Sequence, residues 1–179
     1  MLNITTFLDA TSKRLDKNVL YNPTTSNKYN SGEILSIVSE IGRRLKGLGI
    51  EKGDRVLIYL HNSEEYLFSL FAIWRIGAIA IPTNRVFTAS ELEYIASDSK
   101  AKLMITDSDA EGIIDIDTYI PQNIGDFKDG EILEAEATDW DDLCQLQYTS
   151  GTTGKPKGAM LTHGNYFTAI HNECDVLTL

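Results

Sequence analysis

Residues Val56 to Pro82 read VLIYLHNSEEYLFSLFAIWRIGAIAIP, and their pattern decides the fold. Gly53-Asp54 turns the chain into Val56 to Leu60, a short apolar run bounded by charge, which is the mark of a strand. Asn62 with Glu65 three residues on forms a capping pair and predicts a helix that runs to about Ile76 and stops at Gly77. The helix body, Tyr66 to Trp74, is apolar on nearly every side, as a helix covered on two faces must be. Ala78 to Ile81 then reads as a buried strand that Pro82 ends.

Working outward, the same rhythm continues. Upstream, Ile34, Val38, Ile41, Leu45 and Leu48 draw one apolar stripe at helical spacing. Asn30 with Glu33 supplies its capping box and Gly49 its stop. Downstream, Thr88 with Glu91 opens a third helix reaching about Ser97, and Leu103 to Thr106 is a strand, with Ile113 to Ile116 as a further short one. Alternating helices and strands at this spacing predict an α/β fold, a layered αβα arrangement around a mostly parallel sheet. The strands lack clean alternation, as expected when both faces of a sheet are covered. Met1 to Asn30 is polar and weakly patterned, and Phe127 to Asp142 reads as a polar connection. Leu143 to Tyr148 resumes as a strand, Ala159 to Leu161 as another, and Thr162 to Asn165 turns into a helix through about Cys174. Val176 to Leu179 reads as the start of a further strand.

The composition fits a globular domain: 179 residues, 42% hydrophobic and 23% charged, with only four prolines. A formal charge of −10 repels nucleic acid and anionic lipid, and no basic stripe offsets it. Such a surface still permits a phosphate ligand in a locally positive or N–H-rich pocket. From Asp129 to Gly154 there are seven acidic side chains and no Lys or Arg, a run that reads as a solvated face before the next motif. Cys144 and Cys174 lack any metal or redox spacing and read as reduced and structural. No signal peptide or spanning helix is visible, so a cytoplasmic protein without a transmembrane segment is the expectation, with self-association left open.

The chemistry is concentrated in Thr149 to Gly158, TSGTTGKPKG. Gly151, Gly154 and Gly158 let backbone N–H groups converge on phosphate oxygens. Thr149, Ser150, Thr152 and Thr153 add hydroxyl donors, and Lys155 and Lys157 add charge. With one residue between them, the two lysines do not easily serve one phosphate from an extended segment, so one grips the ligand and the other is solvated. The loop is not a Walker A motif: only two residues separate Gly151 from Gly154-Lys155, and Pro156 takes the hydroxyl position. Pro156 also disfavours an immediate helix, which weakens a helix-dipole mode of phosphate binding. A plain surface turn is the alternative reading.

The run from Tyr148 through His163 to Asn165 resembles the signature loop of the adenylate-forming enzymes, the AMP-dependent synthetases that include acyl-CoA synthetases, aryl-CoA ligases and peptide-synthetase adenylation domains. Gly49 to Val56, Asn62-Ser63, Ala72 to Pro82, Glu91-Leu92, Asp98-Ser99 and Ala101-Lys102 resemble that family's N-terminal region in order. The likeness covers roughly Lys28 to the end. It implies a two-step ligase in which a small carboxylic acid attacks the α-phosphate of ATP, bound with Mg2+, and coenzyme A then displaces AMP. By the same resemblance Thr149, Ser150, Gly151, Thr152, Thr153, Gly154 and Lys157 hold the β- and γ-phosphates, with Thr152 the candidate magnesium contact. Lys157 is preferred over Lys155, and His163 reads as a cap or packing residue in its turn.

The family is considerably longer than this chain. Residues 1–179 are expected to form the N-terminal part of the large adenylation domain. By the resemblance, the acyl pocket, the nucleoside-binding motifs and the C-terminal domain with its catalytic lysine are expected downstream of these residues. No catalytic residue is expected within the chain, and adenylation is not expected from it alone. A nucleotide-binding module of an assembly, a structural remnant and a peptide-synthetase domain are the other readings. Gly158 to His163 looks more like fatty acyl-CoA synthetases, which points to a fatty acid as substrate.

Overall fold

The computed structural model describes residues 2–13, 18–149 and 155–177, with 174–177 described by backbone alone. The first elements fall where the sequence carries little pattern: helix α1 (Thr6–Ser12) and a hairpin of β1 (Asn18–Tyr21) with β2 (Lys28–Asn30). Their order comes from long-range polar anchors. Asn3 donates its amide to the carbonyls of Trp74 at 2.7 Å and Glu136 at 3.1 Å. Glu64 accepts from Asn22, Thr25 and Asn27 in the hairpin turn. No window of local periodicity records such contacts.

Helix α2 (Ser31–Gly47) starts in the predicted capping box, with Asn30 and Glu33 satisfying each other's backbone N–H groups. After β3 (Arg55–Tyr59), helix α3 (Glu64–Arg75) begins one residue later than expected. Its N-cap is Ser63, whose hydroxyl accepts from the Tyr66 N–H at 3.3 Å, and not Asn62. Strand β4 (Ile79–Pro82), helix α4 (Ala89–Ser99) with its Thr88–Glu91 capping box, and β5 (Leu103–Thr106) follow as the sequence predicts.

The next strand does not. Ile113 to Ile116 stays unpaired because Gly112, at φ +75°, turns the chain and Ile114 tucks into the core; β6 is Thr118–Tyr119. The chain closes with β7 (Leu143–Thr149), β8 (Lys157–Thr162) and α5 (His163–Leu177). The helix carries Val176 and Leu177, so the unfinished strand expected there is absent from those two residues, and Thr178 and Leu179 lie outside the described residues. Reciprocal bonds between Thr162 and Asn165 cap α5 at its start.

The six-stranded sheet has the order β6-β5-β3-β4-β7-β8, parallel except that β8 runs antiparallel to β7. One face carries Val56, Ile58, Ala80 and Ile105 against the α2 and α3 side chains Ile37, Ile41, Phe68 and Ile73. The other carries Leu57, Ile81, Met104 and Tyr148 against Leu92 and Ile95 of α4. This is the expected αβα layering, and burying both faces explains the missing alternation. A register shift in β7 between Leu143 and Gln145 leaves Cys144 as an extra residue, and Cys144 and Tyr148 consequently pack into opposite layers.

The connection from Phe127 to Asp142 is polar, but it is also stitched down. Arg75 Nε donates to the Leu133 carbonyl, Lys52 Nζ to that of Ala137 at 2.8 Å, and the Glu136 N–H to the Arg75 carbonyl at 2.7 Å. It straps the side where α3 ends and β4 begins. Among the described residues no helix is long and apolar enough to cross a membrane.

Candidate functional site

At the carboxyl ends of β3 and β4 the chain leaves on opposite faces of the sheet, to α3 and to α4. Such a divergence is where open parallel sheets form ligand crevices. A cleft of about 780 Å³ lies there. Leu60, His61 and Asn62 line it after β3, Pro82 to Phe87 after β4, and Gln147 to Thr149 at the end of β7.

Backbone and side-chain bonds fix the segment after β4. The Thr83 hydroxyl donates to the Ile58 carbonyl at 2.7 Å, and the Val86 N–H to the Asn84 side chain at 3.1 Å. The Tyr59 hydroxyl donates to the carbonyls of Arg85 and Phe87, both at 3.1 Å. The Arg85 guanidinium lies 4.4 Å from the Tyr59 ring centroid and pairs with Asp109 at 2.8 Å. His61 hydrogen-bonds Asp107 through Nδ1 at 2.7 Å and through its backbone N–H at 3.1 Å, so in the grouping His61, Asp107 and Asp109 each carboxylate has a partner beside the cleft. With both carboxylates matched by donors, and Arg85 repelling a second cation, it does not fit a metal centre.

Of the predicted phosphate-binding residues, Thr149 and Lys157 are brought together. They are partners in the β7–β8 ladder, and Thr149 opens on the cleft. Lys157 is exposed, and its side chain makes no hydrogen bond or ion pair among the described residues. Ser150, Gly151, Thr152, Thr153 and Gly154 lie outside the described residues, and so does the magnesium contact expected of Thr152. A hydroxyl that lines a cleft and a free ammonium across the ladder from it fit a phosphate group. Lys155 has a partner of its own: its Nζ lies 5.1 Å from the Tyr94 ring centroid.

His163 is a packing residue, as expected. It is fully buried, its Nδ1 accepts from the Ile4 N–H at 3.2 Å, and its Nε2 has no partner among the described residues. Burial pushes its pKa down to about 4, against the pull of Asp142. The sequence reading assigned no site role to the cleft residues His61, Asn62 and Pro82 to Phe87. The signal available was their place at the ends of two adjacent predicted parallel strands.

The model of the family described as AMP-binding enzyme matches residues 7–177. The 4-coumarate–CoA ligase 3 of Arabidopsis thaliana is 33% identical over 177 residues, covering 89% of this chain and 32% of the relative. A feruloyl-CoA synthase from Amycolatopsis is 37% identical over 138 residues, 74% of this chain and 28% of its own. Among solved structures, the anthranilate CoA ligase AuaEII in complex with anthranoyl-AMP superposes with a TM-score of 0.83 at 27% identity, over 94% of this chain and 35% of that one. The chain spans about a third of the length of the curated relatives it matches.

Proposed function

The chain belongs to the family of AMP-binding enzymes, and we propose that it forms the triphosphate-binding part of an ATP-dependent carboxylic acid–CoA ligase that works through an acyl-adenylate. In that reaction a carboxylate oxygen bonds to the α-phosphorus while the bond to the β-phosphate oxygen breaks and pyrophosphate leaves. A thiol then takes the acyl group and AMP leaves. Magnesium bound with ATP would neutralise phosphate charge. The chain's own part is to hold the leaving pyrophosphate: Lys157 supplies charge, and the Thr149 hydroxyl and the loop's N–H groups donate hydrogen bonds. Fixed donors of this kind stabilise charge as it develops. Ser150 to Gly154 share that role in this reading, with Thr152 on the metal.

The observation that carries the reading is the Lys157 side chain, without a hydrogen bond or ion pair among the described residues and paired in the β7–β8 ladder with Thr149, which lines the cleft. For the acid, the printed names of the relatives and neighbours include coumarate, ferulate, anthranilate and fatty acyl groups. The likeness of Gly158 to His163 to fatty acyl-CoA synthetases supports the fatty side. Isothermal titration of the 179-residue chain with MgATP tests the nucleotide half, and ATP–pyrophosphate exchange tests catalysis. Binding without exchange is the expected pair of results. No detectable binding at millimolar MgATP would sink the proposal.

A second reading, a nucleotide-binding module working inside an assembly, is favoured by one observation. Ile4, Phe7, Ala10, Phe167 and Ile170 line an open apolar groove of about 560 Å³ between α1 and α5.

A further inference from the structure

The β7–β8 hairpin carries the loop on two limbs, and both limbs touch one face of α4. Tyr94 and Asp98 are four residues apart in that helix and therefore lie side by side. At the first limb, the Tyr148 hydroxyl donates to Asp98 Oδ2 at 2.6 Å, a short bond to a charged acceptor. The Tyr148 ring in turn lies flush on Gly158, its partner in the second limb. A Cβ at residue 158 would come within 3.0 Å of ring atoms Cε2 and Cζ. The second limb also reaches the helix directly, through Lys155 over the Tyr94 ring.

We propose that α4 is the anchor of the phosphate loop, with Asp98 and Tyr94 as positioning residues. Asp98 fixes the limb that ends in Thr149. Tyr94 holds Lys155 aside, so that Lys157 is the cation left facing the ligand. This deepens the ATP reading above and rests on it for its functional consequence, while the anchoring itself is measurable without nucleotide. It also gives the choice between the two lysines a physical basis: their unequal surroundings decide it.

The nucleotide-free measurement is amide hydrogen exchange at Tyr148, Thr149, Lys157 and Gly158. Asp98→Ala removes the acceptor and Tyr94→Leu the aromatic face. Exchange at these four amides is expected to rise about tenfold in the first and about threefold in the second. Amides of β3 and β4 should keep their rates, which separates a local anchor from general loosening. Asp98→Asn keeps an acceptor and Tyr94→Phe keeps the ring, and both should exchange as the parent does. MgATP dissociation constants are expected to move by the same factors in the same variants. Unchanged exchange at the four amides in Asp98→Ala and in Tyr148→Phe overturns the anchor, whatever ATP does. Raised exchange with no ATP binding by the parent chain keeps the anchor and removes its link to ATP. If ATP binds and Lys157→Ala abolishes it while Asp98→Ala and Tyr94→Leu bind normally, the positioning role falls and the phosphate reading stands.

Discussion

Thr149 and Lys157 face each other directly across the β7–β8 ladder, so the hydroxyl and the ammonium leave the same face of the hairpin. The two lysines of the loop are therefore not equivalent. Replacing Lys157 with Ala is expected to raise the MgATP dissociation constant about thirtyfold, the scale of a charge-assisted hydrogen bond. Lys155→Ala should raise it only about threefold, through loss of the contact with Tyr94. Titration calorimetry at fixed ionic strength gives both numbers.

Gly158 is pinned by shape. A methyl group there meets the ring of Tyr148, which is itself buried and hydrogen-bonded to Asp98 and has nowhere to retreat. Gly158→Ala is expected to cost about 1–3 kcal/mol, the usual range for overpacking. Urea unfolding of the two proteins measures it.

His163 makes stability depend on pH in a defined window. Its pKa is pushed down to about 4 in the folded chain, while an unfolded His takes up a proton near 6.5. Below that value the unfolded state binds more protons, so the contribution is complete above about pH 6.5 and is lost as pH falls towards 4. The loss amounts to roughly 3 kcal/mol. Asp142, held below its usual range by the Lys52 hydrogen bond, contributes only at lower pH. In His163→Asn, whose Oδ1 still accepts from Ile4, the slope between pH 6.5 and 4 should flatten.

Arg75 is nearly sealed from solvent, and its guanidinium forms two bonds to Asp9, at 2.8 and 3.1 Å. The pair ties α1 to the end of α3. Asp9→Ala leaves the cation buried without its partner and is expected to cost about 3 kcal/mol. Arg75→Met removes the charge together with its need, and should cost less than Asp9→Ala when both are measured by urea unfolding.

The central βαβ unit was legible in the sequence because its determinants are local: an apolar body, a stop at Gly77, and capping boxes at Asn30 and Thr88 that the structure reproduces. The family loop was legible for a different reason, a specific run of residues. What escaped is held by contacts distant in sequence. Helix α1 and the hairpin depend on Asn3 and Glu64, which reach partners in other elements. Ile113 to Ile116 looked like a strand because apolar residues cluster there, yet tucking Ile114 into the core satisfied them without a ladder. The cleft wall from Asn84 to Phe87 escaped too, because its shape comes from Tyr59 and Asp109 elsewhere in the chain.

Strand β8 stands last in the sheet order, with only β7 beside it and Met160 65% exposed. A terminal strand keeps one row of backbone donors and acceptors unspent and so offers a template for another strand. Among the described residues that border is open along the same hairpin that carries Lys157. Any strand that paired with β8 would stiffen the second limb of the β7–β8 hairpin from the side that α4 does not reach. Sheet extension and the setting of the hairpin would then be coupled through one strand.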